Sequence, residues 1–232
     1  MPTTYVLIPG AGGDAWYWHR VVPLLIERGA DVIAVDLPFA DDSANLTTYA
    51  DIVYDELAGV AGPVVVVGQS MGAFTAPMVA HRRPAALIVL VNPMVPAPGE
   101  APGQWWAATG QEAAMVAHLE RIGLGRNTFD QFEDFFHDAP EPVRQVALSR
   151  PPPVISDTPF EQPWPLDGWP DVPTHVIVGS DDRLFPLEFQ QRVVRERLDL
   201  DVDVMPGGHL MALSQPEELV QRLEGYRRAA GV

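Results

Sequence analysis

Four valines, Val64 to Val67, run without interruption into Gly68-Gln69-Ser70-Met71-Gly72. A continuous apolar run of this length reads as a strand buried on both faces, which a parallel sheet covered by helices provides. Glycines at 68 and 72 let strand and helix backbones approach without Cβ clashes, so the segment predicts a strand, a tight turn and a helix. The bend thrusts the Ser70 side chain outward, where a neighbouring base can reach it. A serine hydroxyl is a poor nucleophile until such a base takes its proton, which makes Ser70 the candidate nucleophile. Gly-x-Ser-x-Gly also arises by chance in glycine-rich loops; the strand before it and the residues downstream give it weight here.

Further strand-like runs are Tyr5 to Ile8, Val32 to Val35, Leu87 to Val91, His175 to Val178 and Val202 to Val204, with helix-like segments between them. The alternation predicts an α/β fold, a mostly parallel sheet of about six strands with helices on both faces. Most of the runs are continuously apolar, whereas Asp201-Val202-Asp203-Val204 alternates and is expected at an edge. Trp16, Val21, Leu24 and Leu25 recur at helical spacing, so one amphipathic helix is expected between the first two strands, stopped by Gly29. Near the end, Ser214-Gln215-Pro216-Glu217 matches a capping box ahead of the apolar stripe Leu219, Val220, Leu223 and Tyr226.

Between residues 94 and 171 the pattern changes: prolines are frequent, four tryptophans appear (Trp105, Trp106, Trp164, Trp169), and short helical stretches fall at 111–121 and 128–136. The stretch interrupts the strand series, so residues 1–93 and 172–232 are expected to form the core and 94–171 an insertion that leaves the sheet and returns as a small helical lid over the strand ends. Its aromatic content supports a lid, because these rings would otherwise form an exposed apolar patch.

Composition excludes several function classes. The 232 residues suit a single α/β domain with an insertion, and 47% hydrophobic with 20% charged residues is ordinary for a folded chain. No apolar run approaches the roughly 20 residues that span a bilayer, and no secretory signal precedes Tyr5, so neither a membrane nor export is expected and the location is expected to be cytoplasmic. Cysteine is absent, which excludes disulfides, a thiol nucleophile and thiolate metal sites. A net charge of −16 opposes binding to nucleic acid. His118, His137 and His175 have no acidic or histidine partner at ligand spacing, His19 suits solvent or packing, and His81 sits near a helix C-terminus; no metal site and no cofactor are expected. The expected partner is a small-molecule substrate, with homo-oligomerisation left open.

A serine nucleophile needs a histidine base, and the base needs a carboxylate that holds its tautomer. The loop after the strand at His175 to Val178 offers Asp181 and Asp182, and the loop after the last strand offers His209 in Pro206-Gly207-Gly208-His209. Both loops lie at strand C-terminal ends. The chain order serine, aspartate, histidine is that of the α/β-hydrolases.

The chain resembles the α/β-hydrolase fold superfamily over nearly its whole length, with Ser70, Asp182 and His209 at the matching positions. The opening Val6-Leu7-Ile8-Pro9-Gly10-Ala11-Gly12-Gly13-Asp14-Ala15-Trp16 and the closing Gly208-His209-Leu210-Met211-Ala212-Leu213-Ser214-Gln215-Pro216 are similar to the plant methylesterase and hydroxynitrile lyase branch and its small bacterial relatives. The resemblance favours Asp182 as the orienting acid, three residues after Gly179 and four before Pro186, and leaves Asp181 as a turn former or helix cap. It also implies an oxyanion hole from the backbone amides of Ala11 and Met71. In one departure, Pro9-Gly10 stands where the family usually has His-Gly, removing a backbone donor and an imidazole that often braces the loop.

The expected activity is hydrolysis of a small, largely apolar ester or related acyl compound through an acyl-enzyme. The alternatives are a lyase or cyclase acting on C–C bonds with the same triad, and a receptor-like ligand binder. Hydroxynitrile lyase is disfavoured, since the plant enzymes carry a lysine after the histidine and a hydroxylic residue in the first loop, where this chain has Leu210 and Ala11.

Overall fold

The computed structural model describes residues 1–232. Six strands, β1 (Thr4–Ile8), β2 (Asp31–Ala34), β3 (Val64–Gln69), β4 (Leu87–Val91), β5 (Thr174–Gly179) and β6 (Asp203–Met205), form one sheet in the order β2-β1-β3-β4-β5-β6. Every neighbouring pair is parallel. Eleven helices accompany them: α1 (Val22–Glu27), α2 (Leu46–Glu56), α3 (Gly72–Arg82), α4 (Pro102–Thr109), α5 (Gln111–Arg121), α6 (Gln131–Phe136), α7 (Glu141–Ser149), α8 (Thr158–Glu161), α9 (Leu187–Leu198), α10 (Met211–Ser214) and α11 (Pro216–Ala229). No helix is long and apolar enough to cross a membrane.

The strand pleat divides the core. Val6, Ile8, Val64, Val66, Ile88, Leu90, Val176 and Val178 face α2, α3 and α9, while Tyr5, Leu7, Val65, Val67, Leu87, Val89 and Ile177 face the other layer with α10 and α11. Both faces are therefore sealed, and each wholly buried valine or leucine contributes roughly 1.5–3 kcal/mol of transfer free energy. With the central strands fixed this way, the C-terminal ends of β1, β3, β4, β5 and β6 open onto one rim. The expected chemistry-bearing loops all leave from that rim.

Local departures from the sequence expectations have simple causes. The expected helix between β1 and β2 is split into a 3₁₀ turn, Ala15–Trp18, capped by Asp14, and the separate α1. Pro23 sits in the first turn of α1, the position a proline tolerates; deeper in a continuous helix its ring would strike a carbonyl one turn back. The capping box at Ser214 does not form. The hydroxyl of Ser214 is buried without a partner at the end of α10, and Gln215 precedes Pro216 without a side-chain cap. Strand β6 is at an edge as its alternation suggests, but β2 forms the opposite edge despite its apolar run and is half exposed.

Helices α4 to α8 lie between β4 and β5. The run at 111–121 coincides with α5, whereas α6 begins at Gln131, where Asp130 accepts the Glu133 amide at 2.8 Å. Two of the tryptophans serve as anchors into the core. Trp105 donates to the Val95 carbonyl and Trp164 to the Phe74 carbonyl, each at 2.9 Å, and both rings are buried.

Candidate active site

The turn after β3 is as tight as its glycines suggest. A Cβ on Gly68 would lie 2.7 Å from the Gly72 carbonyl oxygen, and one on Gly72 would lie 2.9 Å from the carbonyls of Ile8 and Pro9. Ser70 between them adopts φ of 51°, the left-handed region that a side chain enters at a cost of roughly 1–2 kcal/mol. Three hydrogen bonds hold it there: its amide donates to Val91, and its carbonyl accepts from Met94 and Ala73, all at 3.0–3.1 Å. Strain of this kind persists only where surrounding structure over-determines it, and it concentrates at functional sites.

The loop after β1 folds back at Gly13, whose amide bonds to the Gly10 carbonyl at 3.0 Å. Gln69, next to Ser70, accepts the Gly10 amide at 2.8 Å and so supplies a brace for this loop. The amides of Ala11 and Met71 donate to no acceptor within the protein. Pro153 and Ile155, from the segment after α7, pack directly on Gly12.

Asp182 is fully buried. One carboxylate oxygen lies 2.7 Å from His209 Nδ1; the other accepts the amides of Leu184 and Phe185 at 2.8 and 2.9 Å. Nδ1 of His209 faces the acid, so Nε2 is the ring nitrogen not engaged by Asp182; the Ser70 hydroxyl makes no hydrogen bond with the protein, and the residue is 8% exposed. Asp181 instead accepts the Gly207 amide at 3.1 Å and the Ser180 hydroxyl at 2.9 Å, tying the acid loop to the histidine loop. The expectation of a turn former describes it only in part.

Two residues that sequence reasoning passed over draw these pieces together. Asn92 is completely buried with φ of 43°; it accepts the Gly179 amide at 2.8 Å and donates to the carbonyls of Gly208 and His209 at 3.0 and 3.1 Å. Gln69 Nε2 also donates to the His209 carbonyl, at 3.4 Å. The main chain of His209 thus hangs from the immediate neighbour of Ser70 and from the end of β4. A signal was present, because a polar amide directly after five buried apolar residues has to satisfy its hydrogen bonds somewhere. The His209 ring is flanked by Phe185, with centroids 4.9 Å apart, and Phe135, at 5.3 Å.

Beyond the acid loop, Arg183 pairs with Asp134 at 3.2 Å. Burial alone would raise the Asp134 carboxyl, but bonds from Arg126, the Asp130 amide and Arg183 hold it below the ordinary aspartate range. Burial pushes the Tyr17 hydroxyl well above its ordinary value, with Asp138 and Asp182 adding to the effect. His118 is lowered by burial and by Arg121, which bonds its Nδ1 at 3.0 Å and bridges to Glu188. No group of three or more His, Cys, Asp or Glu side chains is placed to hold a metal ion.

Similarity to known proteins agrees with this architecture. The chain is 26% identical to a pyrethroid hydrolase of Sphingobium wenxiniae, covering 98% of this chain and 88% of that protein. It is 23% identical to methylesterase 3 of Arabidopsis thaliana, covering 92% of each. The crystal structure of a pyrethroid hydrolase from Sphingobium faniae superposes with a TM-score of 0.77 at 24% identity, over 99% of this chain and 98% of that one. Residues 5–222 match the model of the alpha/beta hydrolase family, and the chain belongs to that family.

Proposed function

We propose that this protein is a serine hydrolase that cleaves a small, largely apolar carboxylic ester through an acyl-enzyme. One observation carries the reading: the buried Asp182–His209 pair is suspended by Asn92 and by Gln69, the residue next to a serine held in a left-handed elbow. His209 Nε2 takes the Ser70 proton as Oγ attacks the ester carbonyl carbon. The tetrahedral oxyanion is received by the free amides of Ala11 and Met71, donors of a kind worth about 2.7–4 kcal/mol each to the transition state. His209 then protonates the departing alkoxide, and a water molecule, deprotonated by the same nitrogen, attacks the acyl carbon and returns Ser70 to its resting form. Asp182 holds the imidazole tautomer throughout, its second oxygen being already committed to two amides.

The preference for an apolar substrate rests on Phe135 and Phe185 against the imidazole and on Pro153 and Ile155 against the loop of Ala11. It also accords with relatives named pyrethroid hydrolase and methylesterase. In this reading the segment 94–171 acts as the lid of the site. A fluorophosphonate probe should label the protein at Ser70, and a panel of p-nitrophenyl and methyl esters should be turned over with release of free acid. Failure of the intact, folded protein to label would overturn the serine mechanism. Release of C–C cleavage products from β-diketones, with simple esters untouched, would establish the lyase class instead.

A further inference from the structure

We propose that Asp138, carried by the insertion, is a positioning residue for His209: by gripping the main chain at Gly208 it couples the docking of the lid to the alignment of the catalytic base. The proposal rests on the serine-hydrolase reading. Asp138 Oδ2 accepts the Gly208 amide at 2.7 Å. A Cβ on Gly208 would lie 3.0 Å from Asp138 Oδ1 and 2.6 Å from His137 Nε2, so the two lid side chains close directly on this residue. The preceding amide, that of Gly207, is bonded by Asp181. Two successive amides ahead of His209 are therefore each held by a carboxylate, one from the loop after β5 and one from the insertion.

The same turn reaches the catalytic pair at other points. Phe135 packs on the His209 ring, and Asp134 pairs with Arg183, the residue after Asp182. Asp134, Phe135 and Asp138 thus touch the acid loop, the imidazole and the histidine main chain from one short stretch. Asn92 and Gln69 hold only the carbonyl side of this loop, which leaves its amide side to Asp181 and Asp138.

Satisfying the Gly208 amide takes only one carboxylate oxygen; Asp138 Oδ1 and His137 Nε2 are buried and bond no other protein group. Local rules broken in this way are found where a site demands them. The demand here is geometric, because a shift of about 1 Å in a reacting group can slow chemistry roughly 100-fold.

The test compares Asp138→Ala, Asp138→Asn and Gly208→Ala with the wild type, using kcat and KM on a p-nitrophenyl ester, the rate of fluorophosphonate labelling, and the thermal midpoint. Asp138→Ala is expected to lower kcat and the labelling rate together, by roughly 10- to 100-fold, with KM within about threefold. Asp138→Asn keeps an oxygen that accepts the Gly208 amide and should recover at least about fivefold of the loss. Gly208→Ala, which pushes against His137 and Asp138, should show the same fall in kcat, and it carries the test alone if Asp138→Ala does not fold. The proposal is overturned if kcat of Asp138→Ala, or of Gly208→Ala where that variant stands alone, stays within about twofold of wild type. It is overturned equally if the loss appears in KM, or if Asp138→Asn loses as much as alanine. A folded wild type that neither labels nor hydrolyses esters sinks the serine-hydrolase reading itself, an outcome distinct from an active wild type indifferent to Asp138.

Discussion

His209 Nδ1 lies 2.7 Å from one oxygen of Asp182, and the opposite oxygen of that carboxylate is bonded to two main-chain amides. The acid is therefore locked in rotation before it meets the imidazole. It acts as a fixed acceptor that selects the tautomer with hydrogen on Nδ1. Replacing Asp182 with Asn presents an amide whose nitrogen can favour the opposite tautomer, and kcat is expected to fall by roughly 10³- to 10⁴-fold. Steady-state kinetics with a circular dichroism check of folding would test it; a loss under about tenfold would show that Asp182 is not the orienting group.

Asn92 connects three loops through one buried amide. Asn92→Ala leaves the Gly179 amide and the His209 and Gly208 carbonyls short of partners, and should destabilise the protein by about 2–4 kcal/mol. The urea midpoint should drop with the slope unchanged. Activity measured well below that midpoint should fall too, since the His209 carbonyl then depends on Gln69 alone.

Glycine positions separate a steric requirement from an open one. A Cβ on Gly179 would sit 2.2 Å from the Gly207 carbonyl oxygen, so Gly179→Ala must displace the histidine loop or the end of β5. A loss of about 1–3 kcal/mol and of most activity is expected. Gly225 lies inside α11 with nothing near the place a Cβ would take. Gly225→Ala should stabilise the protein by about 0.5–1 kcal/mol, raising the thermal midpoint by roughly 1–4 °C with activity retained.

The buried Asp134 makes the packing of α6 against the loop after β5 sensitive to acid. Its carboxyl is depressed in the folded protein, so the stability it contributes is present above the ordinary aspartate value of about 4 and is lost as pH falls through the lower folded value. The wild-type thermal midpoint should therefore fall below about pH 4. Asp134→Asn should be less stable at pH 7 and flatter across that acid range. Parallel acid limbs for the two proteins would contradict this assignment.

The sheet and the turn that carries Ser70 were written in local sequence. Apolar runs such as Val64 to Val67 are satisfied by burial on both faces, and Gly68 and Gly72 lack the Cβ atoms that would obstruct a tight turn, so the placement of Ser70 follows from residues next to it. Asp182 and His209 were legible from their loops and from resemblance to the family. Neither source reached Asn92, Gln69, Asp138 or Phe135, because nothing near them in the chain states whom they bond. Their partners lie 59 to 140 residues away for Gln69 and 70 away for Asp138. Tertiary folding alone decided which carboxylate grips which amide, since a side-chain hydrogen bond is specified by distance and direction in space, and periodicity along a chain carries neither. The same reason governs Trp105 and Trp164, whose bulk is visible in sequence but whose use as anchors into the core depends on carbonyls that only the folded chain presents.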